Sequence, residues 1–203
     1  MEPTKPNPLD VIREIGTIGA GRAATALSEM VSAPVEITVP DVKMVETAKF
    51  ADSVKTPGQA NLVLVICMEG QITGRMFFIL SPNDARLLGS VLLGVDPAAV
   101  NFEDSLFQSS IKEALNIIVG AYMMALSEMT GFEIMFGIPF LALDVLTAIF
   151  IAEQMPMGSE EIIYIKTNMQ IKNKNFDGVF IFFPDLPSIN KIFSALGVEH
   201  PHP

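Results

Sequence analysis

The sequence predicts an α/β fold in which helices pack on a largely antiparallel sheet and a pseudo-twofold axis relates two internal repeats. The pentapeptide Ala26 to Met30 recurs without change at Ala125 to Met129, which is 99 residues later. A long segment with helical periodicity opens each half, and short β-branched or apolar runs follow it. The same offset relates three further pairs of identical residues: Glu14 and Glu113, Gly21 and Gly120, and Pro40 and Pro139.

The first helix of each half is predicted at Asp10 to Val31 and at Ser109 to Met129. Apolar residues recur in both segments at the spacing of a helix with about 100° per residue. In the second helix one arc contains Ile111, Leu115, Ile118, Tyr122, Leu126 and Met129. We expect this arc to face the core.

Strands follow each helix. In the first half they are predicted at Val35 to Val39, Ala60 to Met68 and Arg75 to Leu80, because Pro, Gly and Asn bound these runs. Counterparts are expected in the second half, where Gly178 to Phe182 resembles Gly74 to Phe78. Proline-containing turns then precede closing helices, which are predicted at Asp84 to Leu93 and Ser188 to Leu196.

The chain of 203 residues is predicted to form a single domain from two repeats, at about 9–94 and 107–197, preceded by a flexible N-terminal tail at residues 1–8. Neither repeat exceeds about 90 residues, and both strand sets are very apolar. One shared core is therefore expected.

Composition excludes several classes of function. The net charge of −10 argues against a nucleic-acid binder, which uses Lys and Arg to replace counterions. A single cysteine, Cys67, cannot form an internal disulfide, and the two histidines, His200 and His202, lie at the extreme tail. No metal site is predicted.

One apolar run, Ile134 to Ala152, raises the question of a membrane span. Asp144 and Pro139 within the run would be costly in hydrocarbon, so we interpret it as buried structure without membrane insertion. The first eight residues contain three prolines and no apolar signal segment. A cytoplasmic protein is expected.

A polar stripe runs along the first helix of each half. In the second half Ser109, Glu113, Asn116 and Gly120 lie within about 60° of one another on the helix, opposite the apolar arc. The equivalent residues in the first half are Asp10, Glu14, Thr17 and Gly21. The stripe is either a solvated face or a docking surface. Asparagine and glycine are poor helix formers, and this favours docking.

Nearby Met123, Met124 and Met129 are either core or adaptable contacts for a partner.

The stripe and the proline that follows it resemble the signature of the CheC-type chemotaxis phosphatases, within the superfamily that also includes CheX and FliY. The second copy, Ser109, Glu113, Asn116 and Pro139, is complete, whereas the first has Asp10, Glu14 and Pro40 but Thr17 in place of asparagine. The segment from Glu14 to Ser28 is also similar to the family's usual opening, and the resemblance spans essentially the whole chain.

The resemblance implies hydrolysis of the aspartyl phosphate on the response regulator CheY. Asn116 would orient the attacking water as an amide that accepts and donates hydrogen bonds, and Glu113 would pair with a cation on the regulator. No cofactor of its own is expected, because the regulator carries Mg²⁺. The alternative is a non-catalytic adaptor that binds phosphorylated CheY or the receptor deamidase CheD.

The first site is expected to bind but to hydrolyse weakly or not at all, because Thr17 is shorter than asparagine and β-branched. Pro40 and Pro139 are predicted to end the strand after each helix and to shape the site wall. Asp10 and Ser109 are predicted as helix N-caps or first-turn residues.

Asp144 has two interpretations. It caps a helix start as a buried or edge carboxylate, or it matches the family's aspartate that contributes to binding CheD. In the second case Leu143, Val145 and Phe150 would form an exposed apolar patch.

A rival motif is the dinucleotide fingerprint, which Gly19 to Ala24 fits, with Asp41 twenty residues beyond Gly21. The fingerprint requires a preceding strand, whereas the surrounding segment is predicted to be helical. Close helix packing explains the glycines better.

Overall fold

A computed structural model of the chain describes residues 7–50, 60–153 and 161–198. Within these residues the fold contains five α-helices and one antiparallel sheet of seven strands. The helices are α1 Pro8–Val31, α2 Pro82–Leu93, α3 Ser105–Thr130, α4 Leu146–Ala152 and α5 Leu186–Ala195. The strands are β1 Val35–Glu46, β2 Asn61–Gly70, β3 Gly74–Leu80, β4 Ile134–Phe136, β5 Phe140–Asp144, β6 Glu161–Ile171 and β7 Lys174–Pro184. The predicted fold class is confirmed.

The sheet has the strand order β1-β6-β7-β3-β2-β4, and β5 also pairs with β2. The first strand of each half therefore lies beside the hairpin of the other half. At the centre β3 and β7 pair so that Gly74 lies opposite Pro184 and Leu80 lies opposite Gly178. Gly74 and Gly178 thus occupy opposite ends of the central pair, as a twofold axis between the two strands requires.

Apolar side chains cover both faces of the sheet. On one face α1 and α3 pack together over the larger core, which includes Leu27, Phe78, Ile118 and Phe180. The other face has a smaller core in which Phe150 of α4 lies between two rings, with centroids 4.9 Å from Phe50 and 5.0 Å from Phe77. Because α4 packs here, Phe150 is buried, and the expectation that it joins an exposed patch is wrong.

The two long helices begin earlier than the sequence predicts. Asn7 caps α1, where its side chain accepts a hydrogen bond from the N–H of Leu9. Asp104 caps α3 in the same way, at 2.7 Å from the N–H of Leu106. Asp10 therefore lies in the first turn of α1 as one alternative predicts, whereas Ser109 lies in the second turn of α3 and neither caps a helix. Asn7 and Pro8 of the expected tail belong to the start of α1, and residues 1–6 lie outside the described residues.

Pro40 and Pro139, which are equivalent in the two repeats, occupy different structural positions. Pro40 lies within β1 at an irregularity in its pairing with β6, between Thr38 and Asp41, so the prediction that it ends a strand is wrong. An edge strand tolerates proline because one side of its backbone needs no partner for an N–H group. Pro139 does lie in a break, between β4 and β5.

The apolar run Ile134 to Ala152 forms β4, β5 and α4. In the part of the chain that the structure describes, no helix is long and apolar enough to cross a membrane.

Candidate functional site

The polar stripe of the second half lies on the outer face of α3. Ser109, Glu113 and Asn116 are exposed, whereas Ile111 and Leu115 on the opposite face have no exposed surface. A Cβ added at Gly120 would meet no atom within 4 Å. The core fixes α3 from behind, so the stripe is presented on a rigid element.

Glu113 and Asn116 have no partner among the described residues. Neither side chain makes a hydrogen bond or an ion pair with any residue in ranges 7–50, 60–153 and 161–198. They are three residues apart, so their Cβ atoms are neighbours at about 5–6 Å on the helix surface. A carboxylate without a partner therefore lies beside an amide without a partner, and this amide can accept two hydrogen bonds and donate two.

The equivalent stripe on α1 is also exposed, but its middle residue is engaged. Asp10, Glu14, Thr17 and Gly21 all face outward. The Thr17 hydroxyl donates to the backbone carbonyl of Arg13 at 2.8 Å. This bond holds the hydroxyl against its own helix, where it is less available to a partner than the amide of Asn116.

A close contact fixes α1 against α3 beneath the two stripes. A Cβ added at Gly19 would lie 2.7 Å from the Cα of Tyr122, so only glycine fits here without movement. Tyr122 stacks on Phe180 with a centroid distance of 4.9 Å. Burial raises the pKa of Tyr122 to about 12, although its bond with Thr167 acts in the opposite direction.

An exposed ion pair links the same two helices. The Arg22 guanidinium donates to both carboxylate oxygens of Glu128, at 2.9 Å and 2.5 Å. The hydrogen bond from Arg22 lowers the pKa of Glu128 below its usual value. Sequence reasoning missed this pair, because the two residues are far apart in the chain and do not occupy equivalent positions of the two repeats.

The structure rejects the dinucleotide-binding interpretation. Gly19 to Ala24 lie in the middle of α1, with no strand immediately before them. Gly19 is required by close helix packing, as the sequence analysis expects, but Gly21 is not. A Cβ at Gly21 would meet no atom within 4 Å.

Asp144 is exposed at the end of β5, where it pairs in register with Asn61. Its carboxylate accepts a hydrogen bond from the N–H of Val145 at 2.7 Å. Val145, and not Asp144, is the N-cap residue of α4. Leu143 beside it is 47% exposed, so this residue of the expected apolar patch does face outward.

Several known proteins are similar to this chain in sequence or in fold. The model of the CheC-like family matches residues 9–44, which include the stripe of α1 and Pro40. The CheY-P phosphatase CheC of Bacillus subtilis (strain 168) is 28% identical over 201 residues, which cover 96% of each chain. The chain therefore resembles the CheC-like family. The flagellar motor switch phosphatase FliY of the same organism is 29% identical to this chain over 119 residues, which cover 58% of the chain and 31% of FliY.

Solved structures share the fold of this chain. Thermotoga maritima FliY superposes with a TM-score of 0.75 at 20% identity and covers 97% of this chain and 98% of that one. FliM of H. pylori, from a complex with SpeE, has a TM-score of 0.73 at 18% identity, with coverage of 93% and 94%. CheX from Vibrio vulnificus has a TM-score of 0.53 at 16% identity, with coverage of 84% and 99%.

Proposed function

We propose that this CheC-like protein is a chemotaxis phosphatase that hydrolyses the aspartyl phosphate of phosphorylated CheY at a site formed by Glu113 and Asn116 of α3. The observation that carries the proposal is the pair of free, exposed side chains on a rigid helix. The similarity to a protein named CheY-P phosphatase, over nearly the whole of both chains, supports the substrate.

In this proposal Asn116 positions water. Its carbonyl oxygen accepts a hydrogen bond from the water, which directs the water oxygen in line at phosphorus. The new P–O bond forms as the bond between phosphorus and the aspartate oxygen breaks, and this releases inorganic phosphate and the aspartate carboxylate. A side-chain amide does not take up a proton near neutral pH, so the proton of the water passes to a phosphate oxygen or to solvent.

Glu113 holds the partner. A carboxylate next to the amide forms a charge-assisted hydrogen bond with a cationic group of the regulator, as the family resemblance implies. The same resemblance places the Mg²⁺ of the reaction on the regulator, so α3 contributes only orientation and contact. Because the chain carries a net charge of −10, its long-range field opposes a phosphorylated partner, and local contacts of this kind must supply the attraction.

The test measures phosphate release from phosphorylated CheY with wild type and with Asn116→Ala. We expect the substitution to reduce the acceleration by roughly 100-fold, which is typical when a reacting group loses its positioning partner. Thr17→Ala is the matched control, because Thr17 is the equivalent residue of α1, and it should leave the rate nearly unchanged.

The adaptor alternative predicts a different result. A non-catalytic adaptor would bind phosphorylated CheY without accelerating hydrolysis, and Asn116→Ala would then equal wild type in rate. An adaptor would bind CheY that carries beryllium fluoride as a phosphoryl mimic, as a phosphatase would. Adding the adaptor would leave the lifetime of the phosphate on CheY unchanged, and this lifetime separates the two cases.

We propose CheD as a second partner, at Asp144. The specific observation is that β5 at the edge of the sheet carries three exposed side chains, the carboxylate of Asp144 and the apolar side chains of Phe140 and Leu143. Asp144→Ala should weaken CheD binding in calorimetric titration and leave phosphate release unchanged. Equal CheD affinity of the variant and wild type would contradict this assignment.

A further inference from the structure

A ridge on α3 extends the Glu113 and Asn116 site toward the C-terminal end of the helix. Asn116, Gly120 and Met124 follow one another at intervals of four residues, so each is a surface neighbour of the next. Met124 lies about 12 Å along the helix axis from Asn116. The open position at Gly120 leaves a notch between the two side chains.

Met124 is exposed where the neighbouring methionines are not. Its exposed fraction is 56%, whereas Met123 is 3% exposed and Met129 packs against the core. A single exposed apolar side chain needs no explanation by itself. Met124 differs because it continues the ridge that bears the unpartnered amide of Asn116.

The same ridge on α1 is chemically different. Its residues are Thr17, Gly21 and Thr25, which are the equivalents of Asn116, Gly120 and Met124. The Thr25 hydroxyl donates to the carbonyl of Gly21 at 3.1 Å, just as the Thr17 hydroxyl donates to the carbonyl of Arg13. The two helices therefore differ at two positions of the ridge, and at both the α1 side chain is short and bonded to its own backbone.

We propose that Met124 is an affinity-determining contact for the phosphorylated regulator, and that its thioether side chain packs on an apolar surface of that partner while Gly120 admits a partner side chain. This inference rests on the proposed function, because the occupant is the regulator that docks on Asn116. Continuity of the ridge argues for one occupant, since Met124 lies only about 12 Å from Asn116 along the helix, well within the span of a typical protein–protein interface. A long, unbranched methionine side chain suits contact with a surface of irregular shape.

The test compares wild type with Met124→Thr, which introduces the residue type that Thr25 has at the equivalent position of α1. Binding of CheY that carries beryllium fluoride should weaken roughly fivefold to tenfold, as for loss of one well-buried interface side chain. The KM for phosphorylated CheY should rise by the same factor while kcat stays within about twofold, because Met124 lies away from the reacting atoms. Met124→Leu should retain most of the affinity.

Met135→Thr is the matched control. Met135 lies on β4 and is 52% exposed, so this variant makes the same substitution at similar exposure away from the ridge. If Met124→Thr binds like wild type and like Met135→Thr, Met124 is not a contact and the inference is wrong, although the proposed function stands. If wild type neither binds the activated regulator nor accelerates phosphate release, the proposed function fails and this inference fails with it.

Discussion

Thr17 and Asn116 occupy equivalent positions in the two repeats, yet only the threonine side chain is hydrogen-bonded to its own helix. The threonine hydroxyl is satisfied by the carbonyl of Arg13, whereas the asparagine amide has no partner among the described residues. Residue type alone predicts a loss of reach in the first repeat. The hydrogen bond adds a second reason, because the hydroxyl would have to give up a local bond to meet a partner.

Thr17→Asn should restore function to the first repeat if its backbone is suitable. In an Asn116→Ala background, where the second site is silent, we expect the added amide to raise phosphate release several-fold above that background. Release of inorganic phosphate from phosphorylated CheY is the measurement, and Thr17→Ala in the same background is the control. No gain despite unchanged binding would show that the first site lacks more than an amide.

At the scale of secondary-structure elements, two glycines of α1 that look alike in the sequence lie in different surroundings. Gly19 faces Tyr122 across the contact between α1 and α3, whereas Gly21 faces open space. A pattern of small residues predicts close approach for both. Only the placement of α3 distinguishes them, and that placement depends on the sheet beneath.

Gly19→Ala and Gly21→Ala should therefore change stability in opposite directions. The added methyl at Gly19 must displace Tyr122 or the helix, and we expect the free energy of unfolding to fall by about 1–3 kcal/mol. At Gly21 the same change meets no atom and gains helix propensity, which predicts a rise of up to about 1 kcal/mol. Urea unfolding measures both. A similar fall for both variants would contradict the assigned packing.

At the scale of the whole molecule, each half of the chain pairs its first strand with a strand of the other half. β1 pairs with β6, and β5 pairs with β2, so each half completes the sheet of the other. An isolated half would lose these neighbours and expose strand edges together with much of both cores. One shared core for the two repeats stays a prediction, and it requires that neither half folds alone.

Separate fragments of residues 1–100 and 101–203 test this dependence. We expect neither to unfold cooperatively alone, because each lacks strands that the other supplies. Mixing the fragments should restore a cooperative thermal transition in circular dichroism. A fragment that folds by itself would show that the repeats are independent domains.

The sequence by itself determined the repeat, the long helices, the two outward stripes and the resemblance to the CheC-type family, because these depend on local periodicity and on residues at fixed spacing. Glu113 and Asn116 could be selected as candidates for the same reason. It did not determine that Pro40 lies within an edge strand, that Phe150 is buried or that Gly19 and Gly21 differ.

Tertiary structure alone decided these features, together with the exposure of Met124 and the pairing of Arg22 with Glu128. Each depends on which elements become neighbours when distant strands pair across the twofold axis. Helical spacing determines on which face of a helix a residue lies. The packing of the whole sheet determines which other element contacts that face.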